Sequence, residues 1–163
     1  MGLGDRFRKV MGIPVNPDPI ELRRTAFREA AADRDEVACL ENALAFSQIQ
    51  RFDDALSCFK QMEELFPSKR GEWLRWQGQT LYIGLSWRAS SDGERVACYR
   101  RALACYFEAA ALGDRSQEQN VVELCEALSA EKDVPSEEKK AAIQKYLASF
   151  PEGELRERAQ RLD

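Results

Sequence analysis

Apolar residues recur along most of this chain at helical spacing, and no stretch alternates residue by residue as a half-buried strand would. The first start signal is Asn16-Pro17-Asp18-Pro19-Ile20-Glu21. Asp18 suits a helix cap, Pro19 the first helical position and Glu21 the return bond of a capping box, which predicts a helix from about Pro19 to Ala32. Asp33 followed by Glu36 repeats the arrangement, so a second helix is expected to reach about Ile49. Arg51-Phe52-Asp53 reads as a turn. The third helix, about 53–66, then aligns Ala55, Phe59, Met62 and Phe66 on one face and stops at Pro67-Ser68.

A stripe of Leu74, Gly78, Leu81 and Leu85 predicts a helix over about 71–87, with Ser90-Ser91-Asp92-Gly93 as the turn after it. A long helix over 94–112 ends at Gly113-Asp114. Val121, Val122, Leu124, Cys125 and Leu128 mark another, about 116–130, and Ser136 is expected to cap a helix running to 150. After Pro151-Glu152-Gly153 the polar run ELRERAQRL predicts a closing helix. The chain therefore reads as all-α, with residues 1–17 as an N-terminal amphipathic segment and linker and 18–163 as one domain. Its hairpins fall at about 34–67, 71–113 and 115–150, with a capping helix over 152–163.

The hairpins share a small-against-aromatic pattern. In the first, Ala43 and Phe46 precede Ala55, Phe59 and Pro67; in the second, Gly78 precedes Ala102, Tyr106 and Ala109; in the third, Ala142 and Tyr146 precede Ser149-Phe150-Pro151. A small residue lets the paired helix approach, and an aromatic fills the gap beside it. On these residues the segment 39–67 resembles a tetratricopeptide repeat, a helix-turn-helix unit of roughly 34 residues. Ala55, Phe59 and Pro67 fall at the family's alanine, aromatic and closing proline, while Cys39 stands for its tryptophan, Asn42 for leucine, Ala43 for glycine and Phe46 for tyrosine. The second unit is longer: Gly78 to Ala102 spans 24 positions where Ala43 to Ala55 spans 12. The resemblance implies a right-handed superhelix of antiparallel hairpins, a solenoid with capping helices at both ends and no catalytic centre.

Composition narrows the function classes. Lys plus Arg is 24 against 28 Asp plus Glu, a formal charge of −4, and an acidic balance with a pI near 5.1 argues against nucleic acid as the main partner. There is no histidine, which removes Ser-His and Cys-His catalysis. The five cysteines, Cys39, Cys58, Cys98, Cys105 and Cys125, are scattered singly without a secretory signal. That usage points to reduced thiols in a cytoplasmic protein, with no metal or other cofactor. At 163 residues the chain suits one domain burying roughly two thirds of its unfolded surface. No apolar stretch approaches the roughly 18 residues of a membrane span.

The expected role is that of a non-catalytic adaptor or assembly scaffold binding a protein or peptide. The resemblance implies a groove lined by the first helix of each hairpin, which carries over to Leu40, Leu44, Ser47 and Gln48 in the first unit and Arg75, Trp76, Gln79 and Tyr82 in the second. The cation, amide and aromatics of the second set suit an acidic or extended peptide. The competing reading makes Trp76 and Tyr82 core residues and Arg75 a solvated one. Family members that grip a terminal carboxylate use lysine and asparagine where Leu40, Glu41 and Leu44 stand here, so chaperone-tail recognition is not expected. A second candidate surface is Leu3, Phe7, Val10 and Met11, aligned in a helical reading of MGLGDRFRKVMG beside Arg6, Arg8 and Lys9; it suits a membrane surface, a partner groove or its own domain. The alternatives in function are a secretion-type chaperone for a hydrophobic client and a small helical enzyme using carboxylates as acid and base.

Overall fold

The computed structural model describes residues 18–162, and every regular element among them is helical. In chain order they are α1 (Pro19–Ala32), α2 (Glu36–Gln48), α3 (Phe52–Leu65), α4 (Arg70–Gln79), α5 (Asp92–Ala111), α6 (Glu118–Ala130), α7 (Ser136–Ser149) and α8 (Arg156–Gln160). A 3-10 turn, Pro67–Lys69, leads into α4. A π-helical turn, Thr80–Leu85, and a second 3-10 turn, Ser86–Arg88, prolong it, so the helix predicted over 71–87 is one run of three helical types.

The starts follow local chemistry, with three corrections. Asp18 accepts from the Ile20 amide at 2.9 Å with Pro19 in the first turn, as predicted. At α2 the cap is Asp35, which accepts from the Ala38 amide at 3.0 Å; Asp33 instead closes α1, because Arg34 turns left-handed at φ 54°. Ser136 is the first residue of α7 and not its cap. The Pro135 carbonyl already accepts from Glu138 and Lys139 at 3.0 and 3.1 Å, which starts the helix one residue earlier. At α5, Ser91 accepts from the Glu94 amide at 3.2 Å, and Glu94 accepts from the Ser90 amide at 2.8 Å. This displaced capping box starts the helix two residues before its predicted position.

The ends fall into two kinds. α1, α2 and α5 close through a left-handed residue, Arg34, Gln50 (φ 59°) and Gly113 (φ 97°). The amide after each returns to a carbonyl five residues back, at 2.9, 2.8 and 2.9 Å. α3 and α7 instead stop on a phenylalanine before a proline, Phe66 at φ −127°, ψ 65° and Phe150 at φ −124°, ψ 65°, both outside the helical region that a following proline disfavours.

Each helix packs on its neighbours in sequence, the pairs α2/α3, α4/α5 and α6/α7 among them; α1 also meets α3, α5 meets α7 and α6 meets α8. Two apolar cores result. One joins α1 to α4 around Phe46, Phe59, Met62 and Trp73; the other gathers Tyr106, Val121, Leu124, Ile143 and Tyr146 from α5, α6 and α7. The pairing of Gly78 with Tyr106 is direct: a Cβ on Gly78 would stand 2.6 Å from the Tyr106 ring. The closing helix is shorter than its predicted span of 152–163, a five-residue α8 seated through the fully buried Ala159. Glu118 fixes its approach, accepting from the Tyr146 hydroxyl at 2.6 Å and the Leu155 amide at 3.0 Å. Among the described residues no helix is long and apolar enough to cross a membrane.

Candidate functional site

Where α2 ends and α4 passes into the π turn, the chain leaves a cleft of about 130 Å³. Leu44 and Ser47 come from the last turns of α2, Phe52 opens α3, Trp76 and Gln79 lie on α4, and Thr80, Ile83 and Gly84 belong to the π turn. Gly84 packs closely on Phe52: a Cβ at position 84 would stand 2.5 Å from its ring. Thr80 donates its hydroxyl to the Trp76 carbonyl at 2.9 Å, and Ser86 donates to the Tyr82 carbonyl. Such back-bonds compete with the regular ladder and favour departures from straight α-helix. The departure brings Ile83, half exposed at 48 %, to the cleft wall, and Trp87, 82 % exposed, follows four residues later. Arg88 Nη1 donates to the Gln50 carbonyl at 2.7 Å, tying this end of the run to the α2/α3 turn.

Of the eight groove residues expected from sequence, Leu44, Ser47, Trp76 and Gln79 converge on this cleft. Leu40 packs against the first core, and Gln48 is exposed outside the cleft lining. Arg75 and Tyr82 are drawn into the molecule's own contacts. Arg75 lies 3.2 Å from Asp114 and 3.6 Å from Glu72, with its guanidinium 4.9 Å from the Trp76 ring centre. Tyr82 donates to Glu123 at 3.2 Å and meets Tyr99 edge to face; burial, then the neighbouring carboxylate, pushes its phenol up to about 12, so it stays a protonated donor. Trp76 belongs to both settings, since its ring also stacks on Phe59 with centres 5.8 Å apart. The segment holding Leu3, Phe7, Val10 and Met11 lies outside the described residues.

Phe52, Thr80, Ile83 and Gly84 were not anticipated. One signal was present: Ile83 lies off the stripe of Leu74, Gly78, Leu81 and Leu85, an apolar residue facing away from its helix's own core.

The cleft's lining carries no charged side chain. Two larger hollows, about 280 and 530 Å³, are lined in large part by charged residues, Glu21, Arg24, Arg28 and Asp54 in one and Asp53, Arg88, Glu94 and Arg101 in the other. An apolar cavity of roughly 150 Å³ holds one benzene-sized ring, so the 130 Å³ cleft suits a single aliphatic or aromatic side chain. The thiols are ill placed for attack: burial pushes Cys58 and Cys125 up to about 12 and Cys105 to about 11, above the range in which a thiolate forms readily. Among the described residues no group of three or more Cys, Asp or Glu is placed to hold a metal ion.

No known family model matches the chain, no curated protein is similar to it, and no solved structure resembles it.

Proposed function

We propose that this protein is a non-catalytic binding module, a tetratricopeptide-like solenoid that holds a segment of a partner protein by one apolar anchor in the cleft between α2 and the α4 run. The observation that carries the reading is the cleft itself: four groove residues chosen from the repeat pattern meet there, around a space sized for one side chain, beside exposed Ile83 and Trp87. Two further features favour a repeat. The second helices of the first and third hairpins end with near-identical backbone angles at Phe66-Pro67 and Phe150-Pro151, and the second hairpin uses glycine against tyrosine as its close approach. A rigid cleft leaves most of the ordering cost to the partner, which is the usual advantage of a preorganised scaffold. Unpaired thiols, three of them buried, suit a reducing compartment, and the reading places the protein in the cytoplasm as an adaptor or assembly factor.

The test is capture from a native lysate with wild-type protein and with the double variant Ile83→Gln/Trp87→Gln. Both residues are exposed, so stability should move by less than about 0.5 kcal/mol per site. Partners identified by mass spectrometry should disappear with the variant while its thermal melt stays in place. An unchanged set of captured proteins would remove the cleft from consideration.

A further inference from the structure

We propose that the cleft is filled by Trp87 of a second copy of this chain, in a two-fold dimer to which each protomer supplies one tryptophan and one cleft. The proposal rests on the reading of the cleft as a binding site and names its resident occupant, which an incoming partner has to displace.

The chemistry of the cleft suits an indole. Its volume of about 130 Å³ approaches the roughly 150 Å³ that takes a benzene-sized ring. Its lining also holds two polar groups without partners, since the Ser47 hydroxyl and the Gln79 amide make no hydrogen bond among the described residues. Either oxygen can accept from an indole N–H at the rim while the ring is buried. The chain has three tryptophans. Trp73 is buried with its N–H on the Phe66 carbonyl at 3.0 Å, and Trp76 forms part of the cleft wall. Trp87 is the one left to solvent, about one helical turn beyond Ile83 at the edge of the cleft. Knob and hole therefore share one face, as an isologous contact requires: with the two-fold axis passing between Ile83 and Trp87, each copy's tryptophan lies over the other's cleft. A single-anchor segment of another protein would fill the cleft and leave Trp87 in water, whereas a second copy covers both. Ile49, half exposed in the α2/α3 turn that Arg88 ties to this end of the run, borders the same face. Trp87 and the two half-exposed isoleucines offer roughly 350–400 Å² of apolar surface per copy, about half of the roughly 800 Å² that each partner gives to a standard interface. The dimer is therefore weak, with a dissociation constant on the order of 1–100 μM, and its tryptophan yields to a tighter partner.

The test is sedimentation equilibrium of the full chain from about 5 to about 500 μM, a range that brackets the expected constant. The wild type should pass from monomer to dimer, and Trp87→Gln should weaken pairing at least about tenfold. Ser47→Phe, which fills the cleft from its wall, should do the same with Trp87 intact. Mixed together, the two variants should associate more strongly than either alone, because the tryptophan of one meets the open cleft of the other. If Ser47→Phe does not fold, Trp87→Phe takes its place: it keeps a ring and loses the N–H, and should pair less tightly than wild type but more tightly than Trp87→Gln. The cleft lining is uncharged, so pairing should persist in about 0.5 M salt, which screens surface ion pairs. A chain that stays monomeric throughout, a dimer indifferent to Trp87→Gln or dispersed by salt, or assemblies larger than a dimer would each overturn the proposal. A monomer whose Trp87 fluorescence is shielded from acrylamide would overturn it too, by giving the cleft to the chain's own residues. Failure of the partner reading shows elsewhere, as lysate capture unchanged by Ile83→Gln/Trp87→Gln.

Discussion

The hairpins α2/α3 and α4/α5 meet the same packing problem with different residues. In the first, Ala43 and Ala55 face Phe46 and Phe59, all four almost wholly buried, and residues 49–51 suffice to turn the chain through the left-handed Gln50. In the second, the small residue is Gly78, and the Tyr106 ring lies where its Cβ would be. The extra length of that hairpin goes into the π turn, the 3-10 turn and residues 89–91. A π turn inserts a residue without ending the helix and is frequent at functional sites; here it also supplies Thr80, Ile83 and Gly84 to the cleft. The regular hairpin gives Leu44, Ser47 and Phe52 to the cleft, and the irregular one gives the other five lining residues.

The largest expected effect would break the second hairpin at its close contact. Tyr106→Ala should cost about 3–5 kcal/mol, the range for deleting a buried aromatic. Gly78→Ala should cost about 1–3 kcal/mol in the wild type, because overpacking outweighs the better helix propensity of alanine. In the Tyr106→Ala background the same substitution should become neutral or stabilising. Denaturant titration of the four proteins measures the sign change, and a Gly78→Ala cost that persists without the ring would mean the glycine serves something other than this approach.

That contact was legible in the sequence because glycine and tyrosine sat at matching places of the helix pattern, and six predicted helix spans lie within two residues of those observed. The signals that failed were shared between neighbouring groups. Asp33 and Asp35 both suited a cap, and the left-handed Arg34 decided between them; Ser136 lost its role to the Pro135 carbonyl. The cleft was half legible. Leu44, Ser47, Trp76 and Gln79 followed from the repeat pattern, but Arg75 and Tyr82 are claimed by Asp114 and Glu123, partners 39 and 41 positions away, which no local pattern reveals. The π turn was hidden in a mismatch of counts, 24 positions against 12, that fixed the extra length without locating it.

Gly84 sharpens the contrast at intermediate size. Its added Cβ would come as close to Phe52 as that of Gly78 comes to Tyr106, yet Phe52 is half-buried at the start of α3, and its ring has room to yield. Gly84→Ala should therefore cost about 1 kcal/mol or less, while a displaced Phe52 narrows the cleft and weakens dimer association. Melting temperature paired with sedimentation separates the two effects. A cost equal to that of Gly78→Ala would show that the irregular hairpin is as tightly closed at its cleft end as at its centre.

The last contrast concerns charge, at the α1/α3 and α5/α7 contacts. Burial alone would raise the Asp54 carboxyl, but hydrogen bonds from Arg24 and Arg51, at 2.7 and 2.8 Å, outweigh it and hold the group below the usual carboxylate range. At the α5/α7 contact Arg100 grips Glu138 through two hydrogen bonds, at 2.6 and 2.8 Å, and lowers that carboxyl in turn. In both cases the folded pKa lies below the unfolded one, so the stabilisation is fully present above about pH 4 and is lost as pH falls through the depressed folded value. The magnitudes should differ. Asp54 is 15 % exposed and shared by two guanidinium groups, so Asp54→Asn should cost about 1–2 kcal/mol at neutral pH, within the range for hydrogen bonds to charged groups. Glu138 is 34 % exposed, and Glu138→Gln should cost less than about 1 kcal/mol and shrink further in salt. Urea titrations of the wild type and both variants across acid pH measure this: the Asp54 gap should narrow as the wild type is acidified. Equal gaps would show that the Arg24 bridge from α1 to α3 adds no more than a surface pair, leaving the apolar core to hold α1 in place.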